Sequence, residues 1–216
     1  MKKLSDYLYY HEDGPPTIDI YCGDCLEVMP LLDKVDLVVT DPPYGVNLDY
    51  EVYQDTPENW FLLMDKLIPL CRSISTMTIM PSCQIKRLEW IYKNHSPDWL
   101  ICWYKGSPGH AGYIGFNDWE PHLVYGKNST DMHDYFHATP EPQTNGHPCQ
   151  KPLKWAKWLI SRASKEGNFV IDPFLGSGTT LVACKELKRN GIGIEISEKY
   201  CEIAKKRLQN TQVPFL

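Results

Sequence analysis

The chain has 216 residues, of which 43% are hydrophobic and 23% are charged, and its formal net charge is −5. These values are typical of a soluble globular protein, and the length suffices for one α/β domain with a sizeable core. No stretch approaches the apolar length of a membrane span, and the N-terminal MKKLSDYLYYHEDG lacks the apolar segment of a signal peptide. We therefore expect a cytoplasmic protein. The negative charge counts against nucleic acid as a ligand without excluding it, because only the contacting face must be positive.

Eight cysteines raise the question of a zinc site or of disulfides. Cys22 and Cys25 form a C-x-x-C pair, but the sequence holds no second pair that would complete a four-ligand zinc set. His133 and His137 are four residues apart in a segment without a carboxylate pattern. We therefore expect no metal site, and we expect thiols that pack as small hydrophobic side chains in a reducing compartment.

Short β-rich runs alternate with helical runs along the chain. Strands are predicted at 17–21, 36–40, 76–80, 99–105, 121–127, 169–174 and 191–196. Helices are predicted at 25–32, 57–73, 83–94, 152–164, 178–189 and 197–208. Pro69 is expected to kink or end the second helix, Ser197 is expected to cap the last one, and residues 128–151 are expected to form a long loop. The alternation predicts a mostly parallel sheet with helices on both faces.

The polar motifs follow predicted strands. Asp24 follows the strand at 17–21, Asp41 follows the strand at 36–40, and Glu195 lies in the last turn of the strand at 191–196. A glycine-rich turn, FLGSG, follows the strand that begins at residue 169. Because ligands of parallel sheets bind at the carboxyl ends of strands, we expect these four strand ends to converge on one crevice.

The glycine-rich turn indicates a nucleotide-like cofactor. Gly176 and Gly178 match the first two glycines of the dinucleotide fingerprint, but Leu181 stands where the third should be, and the G-K-[ST] of a P-loop is missing. Glu195 is placed to bind ribose hydroxyls, and Asp172 could hold an ammonium group. A cofactor with a ribose, an amine and no phosphate, such as S-adenosylmethionine, therefore fits better than NAD. The alternative is a tight turn shaped by its glycines.

Three motifs carry a resemblance to a known family. They are DPPY at 41–44, HPCQKP at 147–152 and DPFLGSGTT at 172–180, and their order resembles that of the β-class amino DNA methyltransferases. The resemblance implies a doubly wound, Rossmann-like, S-adenosylmethionine-dependent methyltransferase sheet that is mostly parallel with an antiparallel edge strand. It also implies circular permutation: the last two strands of the chain would be the first and second of the fold, and the first two would be the third and fourth.

The resemblance implies a catalytic set and a cofactor set. The catalytic set is Asp41, Pro42, Pro43 and Tyr44. The Asp41 carboxylate and the Pro42 carbonyl would accept the protons of the target amine, and the Tyr44 ring would stack on a base flipped out of the duplex. The cofactor set is Asp24, Lys151, Asp172, Phe174, Gly176, Ser177, Gly178, Thr179 and Glu195.

The expected partner is double-stranded DNA, and a homodimer stays open. With a single methyltransferase domain over 1–216, recognition must come from the loops at 106–118 and 128–146, where His110, Tyr113 and Phe116 are candidate base contacts. Lys105 is the main candidate for a phosphate contact, and the others are Lys86, Arg87, Lys93 and Lys127.

The leading interpretation is methylation of adenine N6, because Asp at the first position of DPPY favours adenine in this family. The alternatives are an N4-cytosine enzyme, an RNA or protein methyltransferase, and a catalytically silent subunit that binds cofactor or DNA. The target sequence, and whether a restriction enzyme accompanies the protein, stay open.

Overall fold

The computed structural model describes residues 2–50, 52–81, 85–106, 115, 117–127, 133–139 and 151–213. The strands are β1 (Leu8–Glu12), β2 (Ile18–Cys22), β3 (Val35–Val39), β4 (Asp49–Tyr50), β5 (Tyr53–Gln54), β6 (Ser75–Pro81), β7 (Trp99–Tyr104), β8 (Trp119–Tyr125), β9 (Tyr135–His137), β10 (Phe169–Asp172) and β11 (Asn190–Glu195). The α-helices are α1 (Cys25–Val28), α2 (Pro57–Ile74), α3 (Leu88–Asn94), α4 (Leu153–Ala163), α5 (Thr179–Glu186) and α6 (Glu198–Gln209). None of these helices is long and apolar enough to cross a membrane.

In the described part of the chain, nine strands form one sheet in the order β1-β2-β11-β10-β3-β6-β8-β7-β9, and β4 and β5 form a separate hairpin. Five consecutive strands, from β2 to β6 in this order, run parallel. At the edges, β1 is antiparallel to β2, and β8 is antiparallel to both β6 and β7. The two strands latest in the chain, β10 and β11, lie between β2 and β3. The predicted doubly wound, permuted and mostly parallel sheet is confirmed.

Helices cover both faces of the sheet, as its alternating hydrophobic burial requires. Leu37 and Val39 of β3 point into a core that includes Trp155 of α4 and side chains of α5 and α6. Val38 points to the opposite face, where Trp60 of α2 and side chains of α1 and α3 form a second core. Each such fully buried aliphatic side chain contributes about 1.5–3 kcal/mol to folding. This two-sided burial fixes where each strand ends and therefore where the motifs lie.

Three local expectations differ from the structure in whole or in part. The segment expected to be a loop contains β9, which pairs parallel with β7 over three residues and is too short to show a period in the sequence. Pro69 does not end α2, which continues to Ile74, because Pro69 lies on the exposed side, where water can satisfy the carbonyl that loses its partner. Ser197 occupies the N-cap position of α6, but its side chain makes no capping hydrogen bond.

Candidate active site

A cavity of about 430 Å³ lies at the carboxyl ends of β2, β3, β10 and β11. The expected convergence of four strand ends on one crevice is therefore present. The candidate site residues that line the cavity are Asp24, Asp41, Pro43, Lys151, Asp172, Phe174, Gly176, Ser177, Thr179 and Glu195.

Glu195 is a fixed carboxylate at the end of β11. Its Oε2 accepts a hydrogen bond from the Gly176 backbone N–H at 2.8 Å, and its Oε1 accepts one from the Ser197 N–H at 2.9 Å. Burial raises the pKa of Glu195, and the hydrogen bonds from backbone N–H groups act in the opposite direction. Each carboxylate oxygen can accept a second hydrogen bond, so the group can receive two neighbouring hydroxyls of a ligand.

Asp24 lies at the end of the neighbouring strand, β2. It caps α1, and its Oδ1 accepts a hydrogen bond from the Leu26 N–H at 2.8 Å. The Gly23 N–H donates to the Glu195 carbonyl at 2.9 Å, which ties the ends of β2 and β11 together. The two acidic side chains are thus held on adjacent strand ends, and both line the cavity.

Asp172, the last residue of β10, is a buried carboxylate at the cavity wall. Asp172 is only 3% exposed. Its Oδ1 accepts hydrogen bonds from the Thr40 hydroxyl at 2.7 Å and from the Phe174 N–H at 3.0 Å. Burial raises the pKa of Asp172 to about 6. No salt bridge among the described residues includes Asp172, so a ligand cation in the cavity could supply the missing positive charge.

The glycine-rich turn between β10 and α5 packs closely against α6. Gly178 has φ +87, and a Cβ at this position would lie 2.8 Å from the Cβ of Ala204. Gly178 is not among the residues that line the cavity, whereas Gly176, with φ +54, is. Arg207 of α6 donates to the Ser177 carbonyl at 2.6 Å and to the Thr179 hydroxyl at 3.2 Å. The turn is therefore held in position by α6.

Asp41 and Pro43 of the DPPY motif line the other end of the cavity, whereas Pro42 and Tyr44 are not among the lining residues. The Tyr44 hydroxyl lies 2.8 Å from Asp41 Oδ1, and Lys151 Nζ lies 2.9 Å from the same oxygen and 2.7 Å from the Tyr44 hydroxyl. Pro43 lines the cavity, and Pro42 is buried. Lys151, which the sequence assigned to the cofactor set, therefore contacts the catalytic motif directly.

Two buried charged residues hold the loop after the motif, and neither was predicted to do so. Asp55, 2% exposed, accepts hydrogen bonds from the backbone N–H groups of Gly45, Val46 and Leu48 at 2.5, 3.0 and 3.2 Å. Arg87 donates to the Gly45 carbonyl at 2.9 Å and is 8% exposed. The expectation that Arg87 meets DNA phosphates was wrong, because its guanidinium is buried under the motif.

Glu120 and His122 of β8 were also missed. Glu120 Oε1 lies 2.8 Å from the Tyr44 hydroxyl. His122 Nε2 accepts a hydrogen bond from the Trp155 indole at 2.6 Å, and burial together with the Lys151 charge lowers the pKa of His122 to about 3. Two polar residues in the otherwise apolar strand WEPHLVY were the available signal.

The candidate DNA contacts are only partly described. Lys105 follows β7, and its Nζ lies 4.0 Å from Glu120 Oε2, so this lysine borders the DPPY cluster. Lys86, Lys93 and Lys127 are exposed. His110, Tyr113 and Phe116, and most of both candidate recognition loops, lie outside the described residues.

Comparisons with known proteins agree with this architecture. Residues 115–206 match the N6_N4_Mtase family model, whose description is DNA methylase. The Type II methyltransferase M.HpaI of Haemophilus parainfluenzae is 26% identical over 88% of this chain and 74% of its own length. The Type II methyltransferase M2.DpnII of Streptococcus pneumoniae is 48% identical over 55% of this chain and 44% of its own length.

A solved structure shows the same fold. The crystal structure of the M1.HpyAVI–SAM complex superposes with a TM-score of 0.67 and 28% sequence identity, covering 88% of this chain and 98% of that one. The fold and the cavity at its strand ends define a methyltransferase of the Rossmann-like class. Within that class, the chain is similar to the amino DNA methyltransferases, as its three motifs indicated.

Proposed function

We propose that the protein transfers a methyl group from S-adenosylmethionine to the exocyclic N6 amine of an adenine flipped out of duplex DNA. One observation carries the proposal: a single cavity joins the carboxylates of Glu195 and Asp172 to the carboxylate of Asp41. A donor bound at the first two groups would meet an amine bound at the third without leaving the cavity.

The prediction of S-adenosylmethionine as the cofactor is confirmed by the similarity of the chain to the M1.HpyAVI–SAM complex and to Type II methyltransferases. The cavity suits it chemically. The Glu195 carboxylate, oriented by two N–H groups, would accept the ribose hydroxyls, and Asp24 on the adjacent strand end would contact the adenine. The buried Asp172 carboxylate would pair with the ammonium group. When bound, the cofactor supplies a methyl group on a positively charged sulfur.

Asp41 and Pro42 would prepare the target amine. An aromatic amine is a weak nucleophile because its lone pair is delocalised into the ring, and two acceptors for its protons favour a tetrahedral nitrogen. Both hydrogen bonds to Asp41 fall on Oδ1, and no described residue bonds to Oδ2, so we assign Oδ2 to the amine. Asp41 and the Pro42 carbonyl would hold the two amine protons while the nitrogen takes up the methyl group, and the Asp41 carboxylate would accept the proton that the methylated nitrogen gives up. The rigid Pro-Pro segment holds the acceptors in place before the substrate binds.

Tyr44 would provide the surface on which the flipped base stacks. Extrusion of a base costs a few kcal/mol of stacking and pairing, which an aromatic wall partly restores. Contacts of the Tyr44 hydroxyl with Asp41, Glu120 and Lys151 support a fixed ring orientation. We further propose that the loops at 106–118 and 128–146 read the DNA sequence and that Lys105 contacts a phosphate near the flipped base.

Mass spectrometry of nucleosides tests the proposal. Unmethylated genomic DNA is incubated with the protein and S-adenosylmethionine, digested and analysed for N6-methyladenine and N4-methylcytosine. N6-methyladenine alone is expected. Detection of N4-methylcytosine would show that the target base is cytosine instead of adenine. If no methylated nucleoside were found in the DNA, the proposed activity would be contradicted.

A further inference from the structure

Glu120 contacts the catalytic motif, DPPY, but is not part of it. It is the second residue of β8 and is only 8% exposed. Its Oε1 lies 2.8 Å from the Tyr44 hydroxyl. The nitrogens of Lys151 and Lys105 lie 3.9 and 4.0 Å from its carboxylate oxygens. A carboxylate this buried is retained at low cost only where positive charge and hydrogen bonds compensate for lost water.

The Tyr44 hydroxyl lies within hydrogen-bonding distance of two carboxylates but has a single hydrogen to donate. Its oxygen lies 2.8 Å from both Asp41 Oδ1 and Glu120 Oε1, and Lys151 donates to it at 2.7 Å. Because a phenol has a single O–H, it can donate to only one of these carboxylates at a time. Asp41 and Glu120 therefore compete for the same proton.

The outcome of this competition affects the acceptor that the amine would use. When the Tyr44 hydroxyl donates its hydrogen bond to Asp41, the phenol satisfies part of the negative charge of Asp41. The Asp41 carboxylate then attracts an amine proton less strongly. When the Tyr44 hydroxyl donates to Glu120 instead, Lys151 is the partner that Asp41 keeps among the described residues, and more of the Asp41 charge remains for the amine. A charged acceptor binds a hydrogen about twice as strongly as a neutral one, so Glu120 competes well only while it is ionised.

We propose that Glu120 is a positioning residue for methyl transfer: it draws the Tyr44 hydroxyl away from Asp41 and so keeps the Asp41 carboxylate available to the target amine. This role rests on the proposed function and adds a residue that acts through Tyr44. Among the described residues, Lys151 lies within 4.0 Å of the carboxylates of both Asp41 and Glu120, and Lys105 lies 4.0 Å from that of Glu120, so two lysines face the two acidic side chains.

The test compares Glu120→Gln with a matched control in steady-state methyl transfer to unmethylated genomic DNA. Glutamine keeps the shape of the side chain but offers a neutral acceptor, so kcat is expected to fall about tenfold. The KM for S-adenosylmethionine should stay within about twofold, because the cofactor end of the cavity is unchanged. Glu186→Gln is the control: Glu186 also pairs with a lysine, Lys157, and does not line the cavity.

Combining Glu120→Gln with Tyr44→Phe distinguishes a role of Glu120 that acts through Tyr44 from a purely structural role. In Tyr44→Phe the shared proton is gone, so adding Glu120→Gln should then cost less than about twofold. If the full tenfold loss persists without the hydroxyl, Glu120 does not act through Tyr44 and the inference is overturned. A single Glu120→Gln variant with unchanged kcat overturns it as well.

The hydrogen bonding of Tyr44 can also be measured by NMR in the absence of DNA. In protein labelled with ¹³C at the tyrosine ζ carbons, the resonance lost in Tyr44→Phe reports the hydrogen bonding of this phenol. Glu120→Gln is expected to shift that resonance, and Glu186→Gln to leave it in place; an unshifted resonance in Glu120→Gln contradicts the inference. Absence of methyl transfer by the wild type would overturn the proposed function and this role with it, whereas an active wild type with an unaffected Glu120→Gln overturns the role alone.

Discussion

The Glu195 carboxylate, at the end of β11, accepts a hydrogen bond of 2.8 Å from the backbone N–H of Gly176, in the turn after β10. The acidic residue and the glycine-rich turn are therefore one structural unit, although they lie on different strand ends. A ligand that binds Glu195 is brought against the turn by this contact.

Replacement of Glu195 by alanine is expected to weaken the affinity for S-adenosylmethionine. The change removes the acceptor for ribose hydroxyls and frees the N–H groups of Gly176 and Ser197, at a cost of about 1–3 kcal/mol. Isothermal titration calorimetry measures the difference. Glu198→Ala, on the exposed first turn of α6, is the control and should bind normally. Unchanged affinity in Glu195→Ala would remove this carboxylate from the cofactor site.

Asp41→Ala is expected to retain cofactor binding and to lose methyl transfer. Asp41 lies at the DPPY end of the cavity, and loss of one preorganised acceptor costs about a hundredfold or more in kcat. Calorimetry and a tritiated methyl transfer assay check the two halves of the prediction. Asp49→Ala, exposed in the β4–β5 hairpin, serves as control. Near-normal turnover by Asp41→Ala would contradict the proposed chemistry.

Two glycines with similar backbones separate strain from packing. Gly167 has φ +81 with no atom within 4 Å of an added Cβ, whereas an added Cβ at Gly178, with φ +87, would meet Ala204 at 2.8 Å. We expect Gly167→Ala to lower the free energy of unfolding by about 1–2 kcal/mol through strain alone. Gly178→Ala should lose about 1–3 kcal/mol more through the clash. Urea denaturation measures both, and equal losses would refute the packing explanation.

The affinity for S-adenosylmethionine is expected to fall below pH 6. Burial raises the pKa of Asp172 to about 6, so the carboxyl is charged above this pH and becomes neutral as the pH falls through it. Protonation removes its attraction for the ammonium group of the cofactor. Calorimetry between pH 5 and pH 8, a range of about three units around the shifted pKa, should show the loss. Asp172→Asn should bind weakly with little pH dependence between these limits; a slope that survives the substitution assigns it to another group.

Simultaneous alanine replacement of His110, Tyr113 and Phe116 is expected to remove sequence-specific DNA binding and to spare cofactor binding. Phosphate contacts would remain, so weak binding that falls with salt should persist. The measurement compares duplexes with and without the methylated sequence at several salt concentrations, once sequencing of the methylated DNA has defined that sequence. An unchanged preference for the target duplex would transfer recognition to the loop at 128–146.

Much of the architecture could be predicted because its signals are local. Buried β-strands such as VDLVV are short runs in which apolar residues predominate, and the acidic residues and glycines that follow them mark strand ends. Pairing of β9 with β7 could not be predicted in this way, since a three-residue strand is stabilised by its neighbour and carries no period of its own. Arg87 was misassigned for a related reason: a basic residue in a helical segment has the same pattern whether it faces solvent or a buried carbonyl.

The sequence by itself determined the class of the sheet and the motifs at its strand ends, because each depends on residues close together in the chain, and the resemblance carried by these motifs implied the permuted strand order. The tertiary structure decided what surrounds those motifs. Glu120 contacts Tyr44 across 76 residues and Lys151 contacts it across 107, and the local patterns that contain Glu120 and Lys151 do not indicate Tyr44 as their partner. The physical reason is that folding brings distant charges into a partly buried cluster, where the energy of each depends on the others and not on its neighbours in sequence.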